Sequence, residues 1–140
     1  MNDIVVNKVQ SIQRCVRRAR EEYQADCDGF ATNYTRQDAA LLNVLRACET
    51  AIDLANHVIR VYKLGIPVSS ADSFKLLRTE QIIDSRLAER MGKMVGFRNT
   101  IIHQYTKTDL RIVKAVIVSE LDELLAFADR IREYVHSTAS

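Results

Sequence analysis

Between positions 98 and 105 the chain reads Arg98-Asn99-Thr100-Ile101-Ile102-His103-Gln104-Tyr105. This short run gathers a guanidinium, a carboxamide, an imidazole and a phenol. Histidine ordinarily titrates near neutrality, so His103 suits the role of general acid or general base. Arginine is a forked donor that does not lose its proton, so Arg98 suits the stabilisation of negative charge that builds during a reaction. Asn99 can orient the imidazole or bind a phosphate oxygen. No carboxylate stands in the run to join His103 in a metal site, which agrees with chemistry that needs no metal, and no cofactor is expected.

The surrounding pattern makes Arg98 anomalous. At about 100° per residue, Leu87, Met91, Met94, Val95, Ile101 and Ile102 all fall within about 60° of it on a helical wheel. Arg98 therefore stands at the centre of an apolar stripe, where a guanidinium is costly unless it is paired. The bland reading is a buried salt bridge, or a side chain that snorkels to water from the last turn. Gly92, Gly96 and Asn99 cluster on the opposite face, with His103 beside them if the helix continues. Two glycines four apart lower helix stability by about 1 kcal/mol each relative to alanine. Close helix packing is their ordinary explanation, and approach of a partner chain or substrate backbone is the functional one. In an unbroken helix Arg98 and His103 stand about 7.5 Å apart along the axis and on different faces. They meet only if the β-branched run Thr100-Ile101-Ile102 ends the helix early, or if two chains face each other across a two-fold axis.

The elements that carry this segment read as helices. Val5, Val9, Ile12, Val16, Ala19 and Tyr23 recur at steps of four and three, which predicts a helix over about Asp3 to Tyr23. Gln24 to Asn33 reads as a loop. Thr35-Arg36-Gln37-Asp38 resembles a capping box and opens a second helix, with Leu42, Leu45, Ile52, Ala55, Ile59 and Tyr62 as its stripe. Leu64-Gly65-Ile66-Pro67 stops it, with Gly65 as the cap. A short helix is expected over Ser73 to Arg78, and a third long one from Ser85 toward Thr100. The last begins near Thr106 or Asp109 and runs through Ile112, Val113, Val116, Ile117, Leu121, Leu124, Ala128 and Ile131. The tail from His136 to Ser140 is expected to fray. The fold class is all-α: an up-and-down bundle of four long helices and one short one, in a single domain spanning residues 1–140.

Composition agrees. Only 4 glycines and 1 proline occur in 140 residues, too few for a β-rich chain with many turns. The net charge of +2 is far below what binding nucleic acid by charge alone requires, so local patches must decide. Cys15, Cys27 and Cys48 are odd in number and form no CxxC pair, which favours free thiols and a cytoplasmic setting. The opening Met1-Asn2-Asp3-Ile4 lacks the basic-then-apolar order of a signal peptide, and no apolar run approaches the roughly 20 residues of a membrane span. No membrane partner is expected. His57 and His136 read as structural.

Arg98, four residues, His103, one residue, Tyr105 is an order that resembles the signature of HEPN-domain proteins, and within them the HepT toxins of prokaryotic toxin–antitoxin pairs. Met1 to Ile4, Cys48 to His57, Leu64 to Pro67 and Lys93-Met94-Val95-Gly96 resemble the same family in matching order. The resemblance implies a homodimeric helical bundle whose two motifs face each other in a composite cleft. It implies a metal-independent endoribonuclease associated with tRNA. It also implies a partner antitoxin, MntA, a small nucleotidyltransferase that transfers AMP onto the motif tyrosine. By position, Arg98 and His103 are then catalytic, Asn99 supports them, and Tyr105 is the AMPylation site. The chemistry is compatible: metal-free cleavage uses the ribose 2′-hydroxyl as nucleophile, which selects RNA and not DNA. Arg86, Arg90 and Lys93 lie at helical spacing on the same helix and are candidate RNA contacts, with Lys107, Arg111 and Lys114 beyond the motif. Acidic residues interleave them, and a solvated charged face is their ordinary explanation. The competing functional class is a non-catalytic helical module that binds a nucleotidyltransferase, or RNA, without turnover.

Overall fold

A computed structural model describes residues 3–104 and 109–139. Among the described residues every regular element is helical: α1 (Asp3–Gln24), α2 (Tyr34–Val61), α3 (Ser70–Thr79), α4 (Ser85–Gln104), α5 (Leu110–Ala115) and α6 (Leu121–Ala139), with one π-helical stretch, Val116–Glu120, joining α5 to α6. The expected bundle is present, with α5, the π stretch and α6 acting as the last long helix. α1 lays Val5, Val9, Ile12, Cys15, Val16 and Ala19 against α2 and α6. Phe74 of α3 meets Phe127 of α6 edge to face, with ring centroids 5.3 Å apart, and both are fully buried. Each such ring contributes about 1.5–3 kcal/mol of burial free energy. α4, the motif helix, is held by α2, α3 and α6.

The caps explain where the boundaries differ from expectation. α2 is capped by Asn33, whose Oδ1 accepts from Arg36 N at 3.1 Å, so Thr35 is already inside the helix. Gln37 reaches back instead to the Phe30 carbonyl at 2.7 Å, and Phe30 anchors the preceding loop by burying its ring on Tyr23. The end of α2 comes at Val61, earlier than Gly65. Leu64 N donates to Ile59 O at 2.9 Å and Lys63 N to Arg60 O, a Schellman closure with Lys63 at φ 55° in the left-handed position. Gly65 then turns the chain at φ 138°. α3 begins three residues before the expected Ser73, because Ser69 Oγ accepts from Asp72 N. Its end repeats the same closure with Gln81 at φ 60°. Asp109 caps α5 through Arg111 N at 2.9 Å, as one of the two expected starts. The tail does not fray at His136: helix continues to Ala139, and Tyr62 Oη shares a 2.9 Å hydrogen bond with Thr138 Oγ1.

Most of the candidate core is buried, Tyr23, Leu45 and Tyr62 are partly buried against it, and three members are exposed. Leu42, Ile102 and Ile112 are exposed although their spacing fits the stripes. Each sits at the edge of its stripe, where a small rotation of the helix decides burial. Of the six candidate apolar positions around Arg98, Leu87, Met91, Met94, Val95 and Ile101 are buried and Ile102 is exposed. Cys15 and Cys48 are buried and Cys27 is exposed, all as free thiols. No described helix is long and apolar enough to cross a membrane.

Candidate active site

Arg98 enters the bundle interior from the last third of α4, and its side chain is only 17% exposed. Its guanidinium is paired. Nη1 donates to Glu49 Oε1 of α2 at 3.2 Å, and Nη2 donates to Ser70 Oγ, on the first residue of α3, at 3.1 Å. Nε is buried and has no partner among the described residues. Three helices thus fix the fork, and a donor on each of Nη1 and Nη2 remains unused. Holding a permanent cation there costs desolvation, which one half-exposed carboxylate offsets only in part.

Glu49 and Ser70 are the site residues that the sequence reading missed. Glu49 lies four residues after Leu45 and three before Ile52, at the edge of the apolar stripe of α2, and its side chain is 43% exposed. The available signal was a carboxylate at the edge of the α2 stripe, opposite in sign to the guanidinium at the centre of the α4 stripe. Cys48, next to Glu49, is almost wholly buried. Burial chiefly, and the Glu49 carboxylate after it, push its thiol up to about 12, while Arg98 pulls the other way. The thiol is inert packing.

His103 is elsewhere on the same helix. α4 continues without a break through Gln104, so the early helix end that would have swung the imidazole round does not occur. The β-branched run stays helical because Ile101 is buried in the core and Thr100 Oγ1 donates to the Gly96 carbonyl at 3.1 Å. His103 and Asn99 are exposed, on the face that carries Gly96. A Cβ built on Gly92 or on Gly96 would meet nothing within 4 Å, so no neighbour in this chain requires either glycine. The bare strip is open to a second molecule. Tyr105, Thr106 and Lys107 lie outside the described residues.

The candidate RNA contacts on α4 are all occupied. Arg86 makes a two-pronged pair with Glu123 at 2.8 and 3.3 Å. Arg90 lies 3.7 Å from Glu120, and Lys93 lies 3.6 Å from Glu89. Arg111 folds back on its own cap, Asp109, at 3.0 Å. These residues read as a neutralised surface lattice. His57 is buried and accepts from Arg60 at 3.3 Å, which matches the structural role expected of it, and His136 is exposed on the last turn. Among the described residues no three of His, Cys, Asp and Glu converge as a metal ligand set.

Comparison with known proteins points one way. The family model described as ribonuclease HepT-like matches residues 12–131. The mRNA nuclease HepT of Shewanella oneidensis is 42% identical over 132 residues, covering 94% of this chain and 98% of that protein. The tRNA nuclease HepT of Aphanizomenon flos-aquae is 21% identical, covering 94% of this chain and 90% of that protein. A solved structure of the tri-AMPylated HEPN toxin of Shewanella oneidensis in complex with an MNT antitoxin superposes with a TM-score of 0.89 at 42% identity, over 95% of this chain and 99% of the other. The motif order, the helical architecture and these relatives agree: the chain belongs to the ribonuclease HepT-like family.

Proposed function

We propose that this chain is the toxin of a toxin–antitoxin pair and cleaves RNA without a metal ion, using Arg98 and His103. The observation that carries the reading is the placement of Arg98. A guanidinium is seated on the apolar stripe of α4 by Glu49 and Ser70, at the motif spacing from an exposed His103. In the proposed reaction His103 takes the proton of a ribose 2′-hydroxyl or delivers one to the departing 5′-oxygen. The 2′-oxygen attacks the adjacent phosphorus, the P–O5′ bond breaks, and the products are a 2′,3′-cyclic phosphate and a 5′-hydroxyl. Arg98 stabilises the phosphorane charge, and Asn99, beside His103 on the exposed face, orients the imidazole or a phosphate oxygen.

An unbroken α4 holds the two groups on different faces, so the active unit is a homodimer in which Arg98 of one protomer works with His103 of its partner. The bare strip at Gly92 and Gly96 supports such an approach. We assign control to an MntA-like nucleotidyltransferase that transfers AMP onto Tyr105, by analogy with the AMPylated Shewanella toxin. Each AMP places a phosphodiester charge and a nucleoside two residues from His103, which repels and blocks substrate. The substrate class is tRNA, as for the Aphanizomenon relative, and the setting is the cytoplasm, where free thiols such as those of Cys15, Cys27 and Cys48 persist.

The test is incubation of the purified chain with tRNA, and in parallel with mRNA, in excess EDTA. The expected result is cleavage of tRNA with 2′,3′-cyclic phosphate ends, absent in His103→Ala. Dependence on a divalent ion, or cleavage that survives His103→Ala, contradicts the reading. The Arg98–Glu49 ion pair favours a second reading, a non-catalytic module that binds a nucleotidyltransferase. Growth arrest by the isolated chain, lost in Arg98→Ala, separates the two.

A further inference from the structure

A second basic surface lies away from the α4 cations. The groove between α1 and α2, of about 780 Å³, is lined by Arg14, Arg18, Asn43, Arg46 and Glu49 together with apolar residues that include Leu42. Arg14 and Arg46 are exposed and face this groove from opposite helices. Neither side chain has an ion-pair or hydrogen-bond partner among the described residues, whereas Arg86, Arg90 and Lys93 each rest on a carboxylate. Arg18 is engaged at the rim by Glu21 and Glu22. The groove has a direction. Glu49, which holds Arg98 at 3.2 Å, is also a wall of it, and Arg46 stands three residues, about 4.5 Å along the axis, before Glu49 on α2.

We propose that this groove holds the sugar–phosphate backbone of the substrate RNA on one side of the scissile bond, with Arg14 and Arg46 on phosphate oxygens. The inference rests on the ribonuclease reading and names the surface that feeds its site. Two uncompensated cations facing each other across a groove call for an anion, and neutralising phosphates there releases condensed counterions. Ser11 and the second amide N–H of Asn43 suit phosphate oxygens, while Thr50, whose hydroxyl donates to the Arg46 carbonyl, can accept from a 2′-hydroxyl. Glu49 is the one carboxylate on the wall. It is occupied by Arg98, so it marks the end of the track.

The test uses the full-length chain carrying R14A and R46A together. Both positions are exposed on helices and alanine favours helix, so the fold is kept, as a thermal melt verifies. Binding of a 2′-O-methyl RNA oligonucleotide, which cannot be cleaved, reports on the groove whether or not the chain cuts RNA. The expected result is binding at least tenfold weaker at low salt, with the slope of log affinity against log salt flatter by about 1.4, or two phosphate contacts on a single strand. Cleavage of a dinucleotide too short to reach the groove is expected to stay unchanged in the variant. Absence of dinucleotide and tRNA cleavage in the wild-type chain would count against the ribonuclease reading alone. An unaltered affinity and salt slope overturns the proposal, as does intact RNA binding with lost copurification of the antitoxin, which would assign the groove to a protein partner.

Discussion

Removing the two partners of the Arg98–Glu49 pair one at a time separates a catalytic arginine from a structural one. The two side chains are unequally buried, 17% exposed for Arg98 and 43% for Glu49. Glu49→Gln leaves the guanidinium in the interior with Ser70 as its remaining partner, and a cation stripped there has little access to water. A fully buried pair broken in this way costs about 3–5 kcal/mol and a surface pair about 0–1, so this intermediate case costs about 1–3 kcal/mol. For a domain of this size that lowers the melting temperature by about 3–10 °C. Arg98→Met is different. It leaves Glu49 able to rehydrate, fills the apolar stripe, and removes the buried unpartnered Nε. Its cost is within about 1 kcal/mol, and the double variant Glu49→Leu with Arg98→Met is as stable as the parent or more so. In RNA cleavage the order reverses: Arg98→Met loses about a hundredfold or more, because the transition-state charge loses its cation. Urea unfolding and steady-state cleavage on the same four proteins measure both. If Arg98→Met destabilises as much as Glu49→Gln, the arginine serves the fold and the reasoning fails.

His103 is exposed, so His103→Ala is expected to leave unfolding free energy within about 0.5 kcal/mol of the parent while lowering cleavage by about 10²–10⁴, measured by chemical denaturation and initial rates. A disulfide reagent at mildly alkaline pH is expected to titrate Cys27 alone in the native chain and all three thiols in denaturant; fast native reaction of Cys48 would contradict its burial and its thiol held at about 12. Burial first, then Arg60 and Lys8, holds His57 below its ordinary value of 6.5. The unfolded chain therefore takes up this proton before the folded one, so stability is full above that value and falls as pH drops below it. His57→Gln is expected to flatten urea-measured stability between about pH 7 and pH 5, and an unchanged slope would assign the loss to other groups. Gly96→Ala meets no neighbour within 4 Å and should raise the chain's stability by up to about 1 kcal/mol, while Gly96→Tyr should weaken self-association in sedimentation; a Gly96→Tyr chain that still dimerises would remove the strip from the interface.

The helices were legible because stripes of period 3.6 dominate a chain poor in glycine and proline, and Arg98 was legible because it breaks one of those stripes. Its partner was less legible, because Glu49 stands only at the edge of the α2 stripe and is 43% exposed. Helix ends were less legible. Lys63 and Gln81 adopt left-handed backbone that sequence rules reserve for glycine, and their closures depend on hydrogen bonds to Ile59 and Leu77 that no local pattern announces. Of the two ways His103 could meet Arg98, the early helix end does not occur, because burial of Ile101 outweighs the low helix propensity of a β-branched run, a tertiary effect. The π stretch at Val116–Glu120 has no signature in the sequence that distinguishes it from α-helix. The α4 cations, the candidate RNA contacts in the sequence, each stand beside a carboxylate in the fold: Arg86 by Glu123, Arg90 by Glu120 and Lys93 by Glu89.

The claim on which the rest turns is that the guanidinium and the imidazole act together although one helix points them apart. Coexpression of an Arg98→Ala chain with a His103→Ala chain tests it directly. Each mixed dimer would contain one site with Arg98 from one protomer and His103 from its partner. Random pairing makes about half the dimers mixed, so cleavage should return to about a quarter of the wild-type rate while each variant alone is inactive. Wild-type activity with no recovery in the mixture would contradict the shared site.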